Sequence, residues 1–174
     1  SVSISGDGVY AIVGARLEDT GGSDAGAAYV FTRSGSTWTQ QQKLASSDLQ
    51  ANDYFGHSVS ISSDGSYAIV SSFGESGGAG DPLTSAGAAY IFTRSGSTWT
   101  QQAKITASDA QAIDQFGTSV SINSDGTYVI VGADNEDGGA GDPISAAGAA
   151  YIFTRSGSTW TQQAILRASD AQVN

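Results

Sequence analysis

One sequence segment occurs three times in this chain with almost no change, and that repetition limits the fold more than any other feature. The segment reads A-G-A-A-Y-[VI]-F-T-R-S-G-S-T-W-T-Q-Q, and its copies begin 61 residues apart, at Ala25, Ala86 and Ala147. A shorter segment, S-V-S-I, begins at Ser1, Ser58 and Ser119. A period of this kind predicts structural units that stack on one another and bury a continuous core.

The first half of each repeat predicts a β-hairpin. In the middle copy, S-V-S-I-S alternates serine with aliphatic residues, which is the period of a strand. Asp64-Gly65 follows, and a dipeptide of this type is a strong signal for a tight hairpin turn. The next strand, Tyr67 to Val70, is apolar on both faces, which is typical of a strand covered on both sides.

The second half of each repeat predicts another hairpin, after an acidic loop of variable length. Its strands run from Ala88 to Thr93 and from Thr98 to Ile105, with a turn at Ser95-Gly96. In the last strand Trp99 and Ile105 alternate with polar residues, so one face is expected to be wet. We expect Lys104 and the glutamines to protect an outer sheet edge.

Four antiparallel strands per repeat indicate an all-β chain of three β-propeller-type blades. The predicted blades span residues 1–57, 58–118 and 119–174, and together form one repeat domain that is either an incomplete ring or a segment of a longer array. The alternative is a β-solenoid or a row of stacked sheets, although solenoid repeats are usually shorter, about 20–45 residues.

The charge composition excludes some classes of partner. The net charge is −10, and only seven basic residues occur, scattered singly. Binding to nucleic acid or to an anionic membrane surface is therefore not expected, since both require clusters of Lys and Arg. No apolar run approaches the roughly 18 residues that span a bilayer, so membrane insertion is not expected either.

The stretch D-Q-F-G-T-S-V-S-I-N-S-D-G-T-Y-V-I-V-G-A, residues 114–133, followed by G-A-A-Y-I-F, resembles the FG-GAP repeat family. The Phe-Gly pairs stand at Phe55-Gly56 and Phe116-Gly117, where the resemblance implies structural roles. It also implies blades like those of integrin α-chain propellers and of bacterial and environmental surface proteins, and a location outside the cell or on its surface.

Two departures from the family pattern matter. Integrin-type repeats often carry a D-x-D-x-D-G calcium loop between their first two strands, whereas only short turns around Asp7, Asp64 and Asp125 stand here. Complete propellers in the family resemble rings of about seven blades. Because the first copy lacks its D-x-F-G, we expect a cut from a longer array, or three blades that complete a ring with further copies of the chain.

The loops between the second and third strands hold the best candidate for a cation site. Calcium takes six to eight oxygen ligands from carboxylates and carbonyls on a flexible loop. The third loop, D-N-E-D-G-G-A-G-D, offers Asp134, Glu136, Asp137 and Asp142. We predict calcium there as the one candidate cofactor, and the competing interpretation is a solvated acidic loop.

Other singled-out residues have a structural interpretation beside a functional one. Asp48, Asp53, Asp109 and Asp114 could hold a cation at a blade junction, but capping of turn amides is favoured. Trp38, Trp99 and Trp160 could stack on sugars, but packing between blades is favoured. Salt bridges at strand ends are expected for Arg33, Arg94 and Arg155, and a structural or exposed role for His57.

Three functional hypotheses follow. The repeated framework favours a non-enzymatic extracellular scaffold with a structural or adhesive role, either inside a large surface protein or as the unit of a fibre. The alternative is a module whose loops bind a glycan or a protein. An enzyme is the third hypothesis and is not favoured, because no asymmetric catalytic constellation is visible in the sequence.

Overall fold

The computed structural model describes residues 1–76, 83–137 and 147–169. Within these ranges the chain forms twelve β-strands and no helix. No helix in the described part of the chain is long and apolar enough to cross a membrane.

The strands form three sheets of four, one for each repeat. The first sheet contains β1 (Val2–Ile4), β2 (Tyr10–Ala15), β3 (Ala27–Ser34) and β4 (Thr37–Leu44). The second contains β5 (Val59–Ile61), β6 (Tyr67–Ser72), β7 (Ala88–Ser95) and β8 (Thr98–Ile105). The third contains β9 (Ser119–Ile122), β10 (Tyr128–Ala133), β11 (Ala149–Ser156) and β12 (Thr159–Leu166).

Every sheet is an antiparallel meander in which strands adjacent in sequence are adjacent in space. The prediction of three four-stranded antiparallel blades is therefore confirmed, and the three blades form an open arrangement. Each sheet lies inside one of the three predicted segments, and we call the sheets blades 1, 2 and 3.

The first turn of each blade follows from its Asp-Gly pair. Gly65 has φ of 64°, the left-handed region that glycine adopts without strain. Asp64 accepts hydrogen bonds from the Ser66 amide, at 2.9 Å, and from the Ser62 hydroxyl, also at 2.9 Å. The side chain thus satisfies turn groups that would otherwise need water.

Two apolar cores lie between the blades. The first joins Ile12, Val30 and Leu44 of blade 1 to the facing side of blade 2. The second joins Ile69, Ile91 and Ile105 of blade 2 to the facing side of blade 3. The middle blade is therefore covered on both faces, as the doubly apolar strand β6 predicts.

Serines join the first strands of neighbouring blades. The amides of Val59 and Ile61 donate to the hydroxyls of Ser1 and Ser3, at 3.2 and 3.3 Å. The amides of Val120 and Ile122 make the same bonds, to Ser58 and Ser60, at 3.1 and 3.2 Å. The serine period of S-V-S-I therefore places one acceptor opposite each outward-pointing amide of the next blade.

Glutamines join the last strands of neighbouring blades, a role that the expectation of edge protection did not include. Trp99 Nε1 donates to Gln41 Oε1 and Trp160 Nε1 donates to Gln102 Oε1, both at 3.0 Å. Gln101 bonds both the amide and the hydroxyl of Ser47 in the preceding repeat. These side chains hold blade to blade.

Candidate functional site at the blade junctions

Two kinds of loop meet at the same end of the blades. In a four-stranded meander the loop between the second and third strands and the connection to the next blade leave the sheet at one end. At each junction the connection reaches across, because Phe55 pairs with Gly26 and Phe116 with Gly87 in single parallel bridges. Charged and hydroxyl side chains from two blades are thereby brought together.

Glycine is required at this crossing. A Cβ on Gly26 would lie 2.1 Å from the backbone oxygen of Phe55, and Gly26 has φ of 88°. Phe55 itself is fully buried and lies edge-on to Tyr90 and Phe92 at centroid distances of 5.5 and 6.1 Å. The Phe-Gly motif therefore fixes the connection against the loop of the previous blade.

A buried ionic cluster lies at the first junction. Glu75, which is 1% exposed, accepts a hydrogen bond from the Tyr90 hydroxyl at 2.9 Å. Lys104 Nζ lies 3.2 Å from Glu75 Oε1 and 2.8 Å from Asp48 Oδ2. Burial of a carboxylate is costly unless it is paired, and Lys104 provides that pairing.

The second junction repeats the cluster with a different cation. Arg167 Nη2 lies 2.9 Å from Glu136 Oε1 and 2.8 Å from Asp109 Oδ2, and its Nε donates to Glu136 Oε2 at 3.3 Å. These two carboxylates raise the pKa of Arg167, with the Glu136 hydrogen bond as the largest cause. A guanidinium fits a carboxylate through two parallel bonds, so this pairing is more directional than that of Lys104.

Sequence reasoning missed these clusters, although a signal for them was present. An acidic residue stands at one position of all three repeats, at Glu18, Glu75 and Glu136. In blade 3 Ile165 takes the position of Lys104, and the positive charge moves two residues along to Arg167. Arg167 directly follows β12, and its guanidinium still pairs with the acidic residue at the repeated position, Glu136.

Asp53 and Asp114 cap turn amides, which agrees with the favoured interpretation. Asp53 Oδ2 accepts from the Gln50 amide at 2.6 Å, and Asp114 Oδ2 accepts from the Gln111 amide at 2.6 Å. Asp48 and Asp109, the other two acids of this pattern, instead form ion pairs with Lys104 and Arg167.

Asp53 also has an unusual protonation equilibrium. Burial raises the pKa of Asp53 to about 6, and the nearby carboxylates of Glu75 and Asp48 act in the same direction. The hydrogen bond from the Gln50 amide opposes the shift without cancelling it. Burial likewise raises the pKa of Asp114. A carboxyl group that titrates near neutrality can take up and release protons under ordinary conditions.

Asp53 lines an open cleft of about 400 Å³ at this end of the first junction. The walls come from the connection between blades 1 and 2 and from the β6–β7 loop, and they are mostly polar: Gln50, Ala51, Asn52, Asp53, Tyr54, Gly74, Ser76, Thr84 and Ser85. The cleft combines hydroxyl and amide groups with one carboxyl group whose pKa is raised.

The structure distributes the predicted calcium ligands among different environments. Glu136 is buried and bonded to Arg167, and Asp137 accepts from Gln111 Nε2 at 3.1 Å. Asp134 is exposed, and Asp142 lies outside the described residues. Within the described ranges no group of three or more acidic, His or Cys side chains is placed to hold a metal ion. The calcium site stays a prediction.

The three tryptophans differ in environment although their sequence context is the same. Trp99 is buried between blades 1 and 2, Trp160 is half-buried against blade 2, and Trp38 is 40% exposed. His57 is half-buried and lies edge-on to Phe73, at a centroid distance of 4.6 Å, with its pKa lowered mainly by burial. These placements agree with packing roles for Trp99 and His57.

The expectation of salt bridges at Arg33, Arg94 and Arg155 is wrong for the described part of the chain. Arg94 Nε donates to the Gly65 carbonyl at 2.7 Å, and its guanidinium lies 4.2 Å from the ring centroid of Tyr10 in the preceding blade. Arg155 repeats this arrangement with Gly126 and Tyr67, at 2.8 and 4.3 Å. The arginines therefore brace the turns and stack across the junctions.

The repeat geometry and the sequence agree on a family. The model of the FG-GAP repeat matches residues 1–31, 38–92 and 99–153, and the second and third matches each begin in the last strand of the preceding blade. This chain belongs to the FG-GAP repeat family. The resemblance carried by the Phe-Gly and Gly-Ala-Ala-Tyr motifs is thereby confirmed. No curated protein matches the chain in sequence.

The FG-GAP blades are similar in backbone to several solved propellers. A candidate 6-phosphogluconolactonase from Bacteroides fragilis superposes with a TM-score of 0.59 at 16% identity, over 98% of this chain and 39% of its own. A periplasmic gluconolactonase from Pseudomonas aeruginosa superposes with a TM-score of 0.55 at 16% identity, over 99% and 40%. A second candidate 6-phosphogluconolactonase, from Bacteroides uniformis, gives 0.58 at 12% identity, over 95% and 39%.

The FG-GAP chain thus spans about two-fifths of the length of these structures, and identities of this size show the fold alone. The matches nevertheless correct the functional expectation. A non-enzymatic structural or adhesive module was the favoured hypothesis, and that inference from repetition is wrong, because the same backbone also occurs in propellers that are named as lactonases. Repeated blades do not by themselves distinguish a scaffold from an enzyme.

Proposed function

We propose that these FG-GAP blades carry a hydrolytic site for a small polyhydroxylated ester of the sugar-lactone class, with Asp53 as general base. The observation that carries the proposal is the position of Asp53, a buried carboxyl group in the wall of a polar cleft of about 400 Å³, where burial raises its pKa to about 6. A general base works best when its pKa lies near the operating pH. The lactonases among the similar propellers support this choice of substrate class.

The proposed step is balanced in atoms and charge. Asp53 takes a proton from a water molecule as the water oxygen bonds to the lactone carbonyl carbon. The ring C–O bond then breaks, and the departing oxygen takes the proton back from Asp53. The product is the open-chain hydroxy acid, and the carboxylate of Asp53 is regenerated.

Other groups of the cleft suit a polyhydroxylated ligand. Asn52, which is exposed beside Asp53, has a side-chain amide that can donate to an oxygen on which charge develops. The hydroxyls of Thr84 and Ser85 can exchange hydrogen bonds with sugar hydroxyls. The volume of about 400 Å³ lies within the range of small-molecule sites.

The test is hydrolysis of glucono-δ-lactone, followed by acid release and corrected for spontaneous ring opening. Asp53→Asn keeps an acceptor for the Gln50 amide but removes the base, so kcat/KM should fall about 100-fold or more. Asp114→Asn changes the same turn position at the second junction and serves as the matched control. No hydrolysis above background, or equal losses in the two variants, would overturn the proposal.

The pH dependence gives a separate readout. The base must be ionised, so kcat/KM should rise with pH and level off above an inflection near 6. The stability effect has the opposite sign. Because the folded-state pKa is raised, Asp53 contributes stability that is full below its ordinary pKa and is lost as pH rises through about 6.

A measurement of stability against pH distinguishes two outcomes: a protein that does not hydrolyse lactones, and a protein in which Asp53 is not buried as described. The wild-type protein should lose folding stability between pH 4 and 6, and Asp53→Asn should abolish that loss. At pH 7 the variant should therefore be more stable than wild type, by up to about 3 kcal/mol. Urea unfolding at a series of pH values checks this. If the stability profile behaves as expected and no lactone is hydrolysed, the buried carboxyl group is established and the enzymatic function is not.

We also propose that the chain works outside the cell or on its surface. A Ser- and Thr-rich chain without Cys is compatible with export. Fractionation of the native source with an antibody to this chain would test the location, and recovery in the soluble cell interior would contradict it.

A further inference from the structure

One basic residue differs from all the others in its contacts. Of the seven Lys and Arg residues, three form ion pairs with carboxylates and three donate to carbonyl groups in turns of their own blades. Arg16 is the seventh, and it makes neither kind of contact with the described residues. Its guanidinium lies 5.9 Å from the ring centroid of Tyr54, so its N–H groups can still donate to a ligand.

This arginine contacts the internal junction between blades 1 and 2. Arg16 directly follows β2, and Tyr54 belongs to the connection that leads from blade 1 to blade 2. The ring of Tyr54 stacks on that of Phe73, which directly follows β6, with a centroid distance of 5.0 Å and an interplanar angle of 9°. Arg16, Tyr54 and Phe73 therefore form one contact series across the junction.

The backbone holds Tyr54 firmly in this series. Tyr54 has φ of 57°, in the left-handed region that residues other than glycine seldom adopt, and its amide donates to the Asp24 carbonyl at 3.1 Å. A Cβ on Gly74 would lie 2.8 Å from Tyr54 Cδ2, so the ring packs directly on the backbone of the β6–β7 loop. Strain of this kind persists only where the surroundings enforce it, and it is frequent at ligand sites.

Tyr54 also joins Arg16 to the cleft of the proposed hydrolytic site. It follows Asp53 in the sequence and lines the same cleft of about 400 Å³. A ligand whose reacting carbonyl lies beside Asp53 can therefore extend past Tyr54 to Arg16. A guanidinium presents a planar fork of donors that matches a carboxylate or a phosphate through two parallel hydrogen bonds.

The repeats differ at these positions. The first residue after the second strand is Arg16 in blade 1, Phe73 in blade 2 and Asp134 in blade 3, and Gln115 takes the place of Tyr54 at the second junction. The second junction thus has neither the cation nor the aromatic ring at the matching positions. Only the first of the two junctions combines a buried carboxyl group with an arginine that can bind an acidic ligand.

The carboxylates of the first junction leave room for an acidic ligand. Asp53 is the one acidic residue among those that line the cleft. Glu75 and Asp48 lie close enough to raise the pKa of Asp53, but each of them forms an ion pair with Lys104. The attraction of Arg16 is therefore opposed mainly by a single carboxyl group.

We propose that the cleft takes a sugar with an acidic group, a carboxylate or a phosphate, which Arg16 binds while the sugar ring lies against Tyr54. Arg16 is then the specificity-determining residue that favours acidic over neutral sugars. The identification of this sugar as a lactone rests on the proposed function of Asp53, whereas its binding needs no chemical step.

Calorimetric titration of the 174-residue chain with glucuronate, glucose-6-phosphate and glucose tests the binding alone. At least one of the two acids should bind about 10-fold or more tightly than glucose, because a charge-assisted hydrogen bond is added. The acid that binds more tightly tells whether the group is a carboxylate or a phosphate. No binding of either acid at millimolar concentration, or equal binding of glucose, would overturn the proposal.

Variants at two exposed arginines of blade 1 connect the preference with Arg16. Arg16→Gln should abolish the preference for the acid, and Arg16→Lys should restore part of it because the charge remains without the fork. Arg33→Gln is the matched control and should bind like wild type, since Arg33 donates to the Gly8 carbonyl away from the cleft. A preference that survives Arg16→Gln would contradict the assignment.

Hydrolysis gives an independent readout. Glucaric acid monolactone carries a free carboxylate and glucono-δ-lactone does not, so Arg16→Gln should raise KM about 10-fold or more for the first lactone only, with kcat nearly unchanged. Equal changes for the two lactones would contradict the role of Arg16. If an acid binds through Arg16 and neither lactone is hydrolysed, this inference stands and the hydrolytic function fails. Hydrolysis of glucono-δ-lactone without binding of either acid would give the reverse result.

Discussion

Trp38 and Trp99 stand in the same sequence, R-S-G-S-T-W-T-Q-Q, yet one is 40% exposed and the other 3%. The difference lies in the neighbouring blade. Trp99 lies against blade 1 and donates to Gln41, whereas no described blade precedes Trp38. Each repeat therefore specifies its own sheet, and the adjacent blade decides how much stability the same side chain contributes.

The largest difference in folding stability is expected between the two tryptophans. Trp99→Ala should lower the free energy of unfolding by about 3–5 kcal/mol, because a large buried aromatic side chain is lost. Trp38→Ala should cost about 1 kcal/mol or less. Both are measured by urea unfolding at the same protein concentration. Equal losses would mean that blade contacts do not determine the contribution.

A second comparison concerns the lysines of the acidic clusters. Lys104→Met should destabilise by about 2–4 kcal/mol, because Glu75 is buried and loses a counter-charge. Lys43 pairs with Glu18 at 2.9 Å in blade 1, but both side chains are partly exposed, so Lys43→Met should cost about 1 kcal/mol or less. Thermal unfolding of the two variants at pH 7 tests the difference, and a larger loss at Lys43 would contradict it.

The smallest difference in folding stability is expected between matching serines in the first strands of blades 1 and 3. Ser3→Ala removes the acceptor of the Ile61 amide and should cost about 1 kcal/mol. Ser121→Ala changes the matching serine of blade 3, which is exposed, so it should change stability by about 0.5 kcal/mol or less. The two variants are compared by urea unfolding. An equal loss for Ser121→Ala would show that the serine acts inside its own blade.

Much of the fold followed from local patterns. The Asp-Gly and Ser-Gly turns, the alternation of S-V-S-I and the doubly apolar β6 predicted the strands within one or two residues of their bounds. These features are local, since turn chemistry and side-chain alternation depend on residues close in sequence.

The candidate site was predicted only in part. The capping role of Asp53 follows from the turn in which it lies, and it agrees with the hydrogen bond to the Gln50 amide. The pKa of Asp53 could not be predicted, because it depends on burial by a second blade and on the charges of Glu75 and Asp48. The role of the glutamines between blades was missed for the same reason, since their partners lie in the preceding repeat.

The sequence by itself determined that this FG-GAP chain is built from three nearly equal antiparallel sheets, because the period, the turns and the strand patterns are all written within each repeat. Only the tertiary structure decided which copies of a residue are buried, which acids are paired and which faces remain open. Those properties arise between blades, across about 55–60 residues of sequence, where hydrophobic burial and electrostatics depend on a neighbour that the repeat does not contain.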